Sequence, residues 1–143
     1  MAKKPKVNLH TLATPTIQQI LIALLFMAMG MLGFASASGA GSELSRELSN
    51  MFGGDRELLL FIISALELVA GIFLIAHYFV KGIPETFNKL AFTTILFFWI
   101  ALIVILDVLT IDFGGLRGSD WFSWIEQVVL HLIVLAGIVQ LQR

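Results

Sequence analysis

The sequence has 143 residues, enough for one domain, and it is 58% hydrophobic but only 13% charged. Soluble domains carry about 25% charged residues, so this chain has too little charge for a water-facing surface. Its net charge of −1 argues against an electrostatic nucleic-acid binder, and the absence of cysteine excludes disulfides, thiolate metal sites and thiol redox chemistry.

Four apolar runs predict transmembrane helices, at residues 17–34, 58–80, 90–111 and 121–141. Each run has about 18–23 residues, the length with which a helix crosses roughly 30 Å of hydrocarbon. A helix also bonds all of its backbone groups internally, as lipid requires. The predicted fold class is therefore all-α: an integral membrane four-helix bundle in a single domain over residues 1–143.

The first run follows a lysine-rich segment and precedes Ala35-Ser36-Ala37, as the core of a secretory signal would. Its apolar stretch exceeds the roughly 7–15 residues of such a core, so we expect a retained span. Thr14 and Pro15 supply a capping hydroxyl and a proline suited to the first helical position, and they predict where this helix begins.

Between the first two spans, residues 42–52 predict a short amphipathic helix. Leu44, Leu48, Met51 and Phe52 recur there at helical spacing, and glycines bound the segment on both sides. Two interpretations stay open for this helix. Either the helix lies on lipid at the outer face of the membrane, or it packs on the end of the bundle as a cap.

The distribution of basic residues predicts that both termini are cytoplasmic. With the N-terminus inside, the cytoplasmic segments hold six basic residues and the outer segments three. The six are Lys3, Lys4, Lys6, Lys81, Lys89 and Arg143, and the three are Arg46, Arg56 and Arg117. We therefore expect a multi-pass protein of the bacterial inner (cytoplasmic) membrane, with the lipid bilayer as its first partner.

Ionisable residues inside a span are candidate ligand- or proton-binding groups, because a charge in hydrocarbon is costly. Glu67 and His131 lie at matching depth, about 14 and 15 Å below the outer ends of their spans. Ser64 shares a helix face with Glu67, and Gln127 shares one with His131. We predict that Glu67 meets His131 across the bundle core. The pair is either a proton-responsive or ligand-binding site, or a structural clamp between two helices.

Asp107 and Glu126 lie closer to the outer surface and form a candidate outer acidic site for a cation, the alternative being that both are solvated rim carboxylates. No catalytic residue and no metal site is predicted, because nucleotide-binding loops, zinc-binding pairs and nucleophile elbows are missing from the sequence. His77 is predicted to snorkel at the inner interface.

Three segments share features with a known family: residues 29–34 of the first span, the loop helix at 42–52, and residues 65–74, where Glu67 precedes Ala70 and Gly71. With them the layout resembles the DoxX-like family of small four-span bacterial membrane proteins. The resemblance implies a subunit or accessory role beside membrane redox enzymes, with quinone as the cofactor that such a setting suggests. It transfers no catalytic residues.

Three classes of function stay open. We favour a non-catalytic subunit or assembly component of a membrane complex, either a homo-oligomer or a larger assembly, without a cofactor of its own. The second class is a small oligomeric transporter or channel that uses Glu67 and His131. The third is a quinone-linked oxidoreductase subunit.

Overall fold

The computed structural model describes residues 14–80 and 82–142. In this part of the chain all regular structure is helical. The helices are α1 (Pro15–Ser36), α2 (Ala40–Phe52), α3 (Arg56–Phe79), α4 (Glu85–Ile103) with a π-helical continuation (Val104–Leu109), and α5 (Ser119–Leu141). All but α2 are long and apolar enough to cross a membrane, with the π segment included in the α4 span. The predicted all-α fold class, with a short helix between the first two spans, is confirmed.

Local sequence explains where two of the helices, α1 and α3, begin. The Thr14 side chain accepts a hydrogen bond from the Ile17 backbone N–H at 3.4 Å, and Pro15 occupies the first turn of α1. The predicted start of the first helix is therefore confirmed. Asp55 caps α3 in the same manner, because its carboxylate accepts from the N–H groups of Glu57 and Leu58 at 2.8 and 3.4 Å.

The third span begins earlier than its apolar run. Pro84 precedes the helix, and Glu85 opens it, five residues before the predicted start at residue 90. The first turn is polar and is closed by an exposed Glu85–Lys89 ion pair at 2.7 Å. Hydropathy alone set the start too late, because a polar first turn extends the helix beyond the apolar stretch.

The most extensive packing in the fold joins α1 to α3. Glycines make this close approach feasible. A Cβ atom at Gly30 would lie 2.7 Å from the carbonyl oxygen of Ser64, and one at Gly71 would lie 2.7 Å from that of Ala23. Because backbone atoms cannot move aside like side-chain ends, these glycines set the distance between the two helices.

The helix α5 is attached more loosely than the other spans. Among its described residues only Ile138 is fully buried, whereas α1 buries six residues and α3 five. It packs against α1 and α4, with Gly137 close to Ile22. Much of the α5 surface therefore faces outward.

The short helix α2 packs against α3, α1 and the π segment. Its buried residues are Gly41, Ser42, Leu44 and Ser45. Leu48 is partly buried, but Met51 and Phe52 are 47% and 77% exposed. The capping interpretation is thus confirmed for the N-terminal half of α2. The predicted apolar stripe is therefore not buried along its whole length: Leu44 and Leu48 pack into the bundle, whereas Met51 and Phe52 face outward.

Candidate functional site

A buried polar cluster joins the π segment to α5. Asp107 is 1% exposed, and its Oδ2 lies 2.6 Å from Nδ1 of His131. Its Oδ1 accepts a hydrogen bond from the Gln127 side chain at 2.9 Å, and its backbone carbonyl accepts one from the Trp124 indole at 2.9 Å. We call Asp107, Trp124, Gln127 and His131 the Asp107 cluster. Every polar oxygen of Asp107 has a partner in it.

A second indole supports the cluster from α4. The Trp99 Nε1–H donates to the backbone carbonyl of His131 at 2.9 Å. The two rings also meet edge to face, with centroids 5.6 Å apart at 90°. Trp99 is 2% exposed and stacks against Phe26 of α1, with centroids 5.3 Å apart. The position of His131 is therefore fixed by both its backbone and its ring.

The π segment explains why Asp107 points into the bundle. The buried face of α4 is defined by Phe92, Ile95, Trp99 and Leu102. At about 100° per residue, an uninterrupted α-helix would place Asp107 roughly 100° from the centre of this face. A π turn holds more residues and rotates each one less, so it carries Asp107 back toward the core. The bond from the Thr110 N–H to the Ile105 carbonyl, at 3.1 Å, closes this wide turn.

The predicted contact between Glu67 and His131 is wrong. His131 pairs with Asp107 instead, and both Glu67 oxygens lack a hydrogen-bond partner within the described residues. The hydrogen bonds pair residue 99 with 131 and residue 107 with 127, so α4 and α5 are antiparallel. Side chains lean toward the N-terminus of their helix, so Asp107 and His131 lean toward each other. The sequence prediction compared only the depths of backbone positions along the spans, and it therefore did not reveal that these two side chains meet.

The outer acidic pair is not formed as predicted. Asp107 is buried and bonded to α5, so the interpretation of a solvated rim carboxylate is wrong for this residue. Glu126 is exposed and lies outside the cluster. Over the described ranges 14–80 and 82–142, no group of three or more His, Cys, Asp or Glu side chains is placed to hold a metal ion.

Glu67 forms a separate buried site beneath α2. It is 0% exposed, as is Ser64 one turn away, and the Ser64 hydroxyl likewise has no hydrogen-bond partner in the described chain. Gly41 of α2 lies directly against the carboxyl group. A Cβ atom at this glycine would lie 2.8 Å from Oε2 and 2.9 Å from Oε1 of Glu67. Glycine is therefore what allows α2 to close over the carboxyl group.

Energetics favour an uncharged Glu67 in this closed arrangement. An ionised carboxylate buried without a partner costs several kcal/mol even after relaxation. Gly41 belongs to the first turn of α2, where the helix dipole offsets only about 0.3–1 kcal/mol of such a cost. The desolvation cost is the larger of the two.

Four cavities of about 250 to 420 Å³ lie elsewhere in the bundle. The largest is a mostly apolar groove between α1 and α5, and two more open between α3 and α4. The fourth, of about 260 Å³, lies where α4 begins and includes the half-buried His77. His77 stacks edge to face on Phe92, with ring centroids 5.4 Å apart. None of these four cavities is lined by Glu67, Asp107 or His131.

Comparison with known proteins yields no relative. No family model, curated protein or solved structure matches this chain. Fold and sites therefore define the class: a helical bundle with four helices able to span a membrane and two buried carboxyl sites.

Proposed function

We propose that this chain is a non-catalytic subunit or assembly component of a membrane complex, and that it binds a transmembrane helix of another protein through α5. The observation that carries the proposal is one exposed face of α5, which we call the α5 stripe. Its members are Phe122, Glu126, Val129, Ile133, Ala136 and Gln140. They recur at heptad spacing, which lines one face of a helix and suits packing against a second one.

The composition of the α5 stripe favours a protein partner over lipid. Glu126 lies about 10 Å along the helix from Ser119, where a charge facing hydrocarbon is costly. Ala136 is small and permits close helix approach, as in other membrane helix pairs. The stripe also lies opposite the face that the Asp107 cluster attaches to α4. One side of α5 is thus anchored and the other is free to bind.

Charge argues for a partner other than a second copy. A two-fold pair uses the same patch on both subunits, so Glu126 would face Glu126. Two like charges at close range repel, most strongly where water is scarce. A partner helix with a lysine or arginine at the depth of Glu126 would instead compensate the charge.

Location and orientation are part of the proposal. The excess of basic residues in the segments assigned to the cytoplasm supports a bacterial inner-membrane protein with both termini inside. The resemblance to the DoxX-like family supports an accessory role beside membrane enzymes.

Site-specific photocrosslinking in native membranes tests the α5 stripe. A photoreactive residue at Val129 or Ile133 should capture the same partner chain, identified by mass spectrometry. The matched control is Val69 of α3, which is equally apolar and 63% exposed but lies away from α5. Glu126→Lys should abolish capture, because it places two cations at the interface.

Either of two results would refute this assignment. Capture of a second copy from both positions would indicate a homo-oligomer, and equal capture from Val69 would indicate non-specific proximity.

A second candidate function is a small oligomeric, proton-linked transporter or channel. The observation that favours it is the buried Asp107–His131 pair, since ionisable pairs inside spans recur in proton relays. The four cavities described above are lined by neither Asp107 nor His131, which is why we place this function second. Proton flux in liposomes that Asp107→Asn abolishes would reverse the order.

A further inference from the structure

Helix α2 covers Glu67 and is attached at both ends through glycines. Gly39 precedes the helix with φ 85°, and Gly53 and Gly54 follow it with φ 75° and 108°. Residues other than glycine rarely adopt these conformations, so glycine is what allows the chain to turn sharply at both ends of α2. Only the N-terminal half of α2 is buried, where Leu44, 3% exposed, packs into the hydrophobic core. The helix is thus held over Glu67 by the residues of its N-terminal half.

The groups around Glu67 do not balance a charge on it. The α1 helix contains no ionisable side chain. On α2, Glu43 is exposed, and Arg46 is engaged by Glu47 at 3.0 Å. On the π segment, Asp107 is bonded within its own cluster. Apart from Glu67, the ionisable residues of α3 and α4 lie at helix ends, and they are Arg56, Glu57, His77, Tyr78, Glu85 and Lys89.

We propose that Glu67 is a proton-binding site that α2 covers, and that the site opens when α2 lifts away from α3. With α2 closed, the apolar surroundings retain the neutral acid. With α2 lifted, water reaches the carboxyl group, which can then release its proton. Release of the proton and movement of α2 are thereby linked. This inference concerns α3 and α2 and is independent of the partner surface on α5.

The proton is the ligand that fits the atoms present. Glu67 and Ser64 together offer three side-chain oxygens, whereas calcium takes about six to eight and magnesium demands a near-ideal octahedron. Both oxygens of the carboxyl group and the hydroxyl are buried without partners in the part of the chain that the structure describes. A proton needs one oxygen and adds no volume.

Labelling with dicyclohexylcarbodiimide tests the site in the full-length protein in membranes. This apolar reagent adds to a neutral carboxylic acid without a leaving group and yields an N-acylurea that peptide mass spectrometry locates. We expect slow labelling at Glu67 in the wild type and none at this position in Glu67→Gln.

Two substitutions on α2 form a matched pair. Leu44→Ala removes a buried side chain that holds α2 closed. At about pH 4, where an opened Glu67 stays largely protonated, it should raise the labelling rate at Glu67 about tenfold or more. Met51→Ala truncates a residue of the same helix that is 47% exposed, and it should leave the rate unchanged. Gly41→Ala provides a second way to open the site, because its Cβ atom would collide with the carboxyl group.

Thermal unfolding in detergent checks that each variant is folded before its rate is compared. If Leu44→Ala does not fold, Gly41→Ala supplies the same comparison, and the wild-type reaction stands by itself. Absence of an adduct at Glu67 in the wild type and in the folded α2 variants would refute a neutral acid. Equal labelling rates at Glu67 in the wild type and in the folded Leu44→Ala and Gly41→Ala variants would refute the covering role of α2.

Discussion

Asp107 and His131 meet at 2.6 Å between Oδ2 and Nδ1, and this contact is the polar link that fixes α5 to the widened end of α4. It joins residues 24 positions apart in the chain, and both side chains are largely shielded from solvent, with 1% and 14% exposure. Apart from this polar link, α5 contributes one fully buried residue to the bundle among those described, Ile138.

Removal of one member of this pair should therefore lower the free energy of unfolding by more than the intact pair contributes to it. We expect Asp107→Leu and His131→Leu each to lower the free energy of unfolding by about 3–5 kcal/mol, because each strands a buried polar group. The double variant should lose less than the sum, with a coupling energy of about 0.5–3 kcal/mol. Thermal and denaturant unfolding in detergent measure the cycle. Glu126→Leu, at an exposed position of the same helix, is the control, and additive effects in the pair would contradict the contact.

Glu67 should behave in the opposite way in a stability measurement. Its two oxygens are buried without partners in the described structure, so Glu67→Met, of similar shape, removes an unsatisfied group. We expect this variant to be as stable as the wild type or more stable by about 1–3 kcal/mol. Glu67→Gln keeps unsatisfied polar atoms and should not gain stability. A loss of several kcal/mol in Glu67→Met would mean that the carboxyl group has a partner after all.

The close packing of α1 on α3 predicts a strong effect of a single methyl group. Gly71→Ala would place its Cβ atom 2.7 Å from the Ala23 carbonyl oxygen and 2.8 Å from the Met27 backbone nitrogen. We expect it to lower the free energy of unfolding by about 1–3 kcal/mol through overpacking. Gly114→Ala, in a loop where the nearest atom is 3.4 Å away, is the control. Equal stability of both variants would contradict the backbone contact.

The predicted orientation can be tested with single cysteines, since the chain has none of its own. Ser45 in the loop helix is 0% exposed and would not react, so the exposed Asn50 of α2 is the better reporter for the outer side. An impermeant thiol reagent added to intact cells should label Asn50→Cys but not Lys81→Cys. Labelling of Lys81→Cys alone would reverse the assigned topology.

Much of the architecture could be predicted because span length and helix caps are local properties of the sequence. The four apolar runs, the start of α1 at Thr14-Pro15 and the presence of a helix near residues 42–52 required no tertiary information. The start of α4 did not follow from hydropathy, since its first turn is polar. The N-terminal half of α2 enters the bundle because Gly41 and Ser45 are small, and an apolar stripe does not reveal that.

The polar sites were only half predictable, for a geometric reason. Gln127 and His131 share a face of α5 as their spacing indicated, and both reach Asp107. Their partner was misassigned because depth was counted along the backbone, which placed Asp107 nearer the outer surface than His131. The local sequence gives no signal of the π turn, which accompanies the hydrogen bonds between Asp107 and α5. Trp99 and Trp124 were likewise missed as donors, because their acceptors are backbone carbonyls on another helix.

The antiparallel pairing of α4 and α5 also has a consequence for biogenesis. An aspartate raises the free energy of inserting an isolated helix into the membrane, by about 2.5–3.5 kcal/mol at the helix centre and by less toward the end of the span, where Asp107 lies. Asp107 and His131 satisfy each other only when both helices are present, and a short connector ending in the Gly118–Ser119 start of α5 brings them together. We therefore expect the last two spans to pair as a hairpin during insertion, because a chain ending after residue 109 would leave Asp107 without its α5 partners.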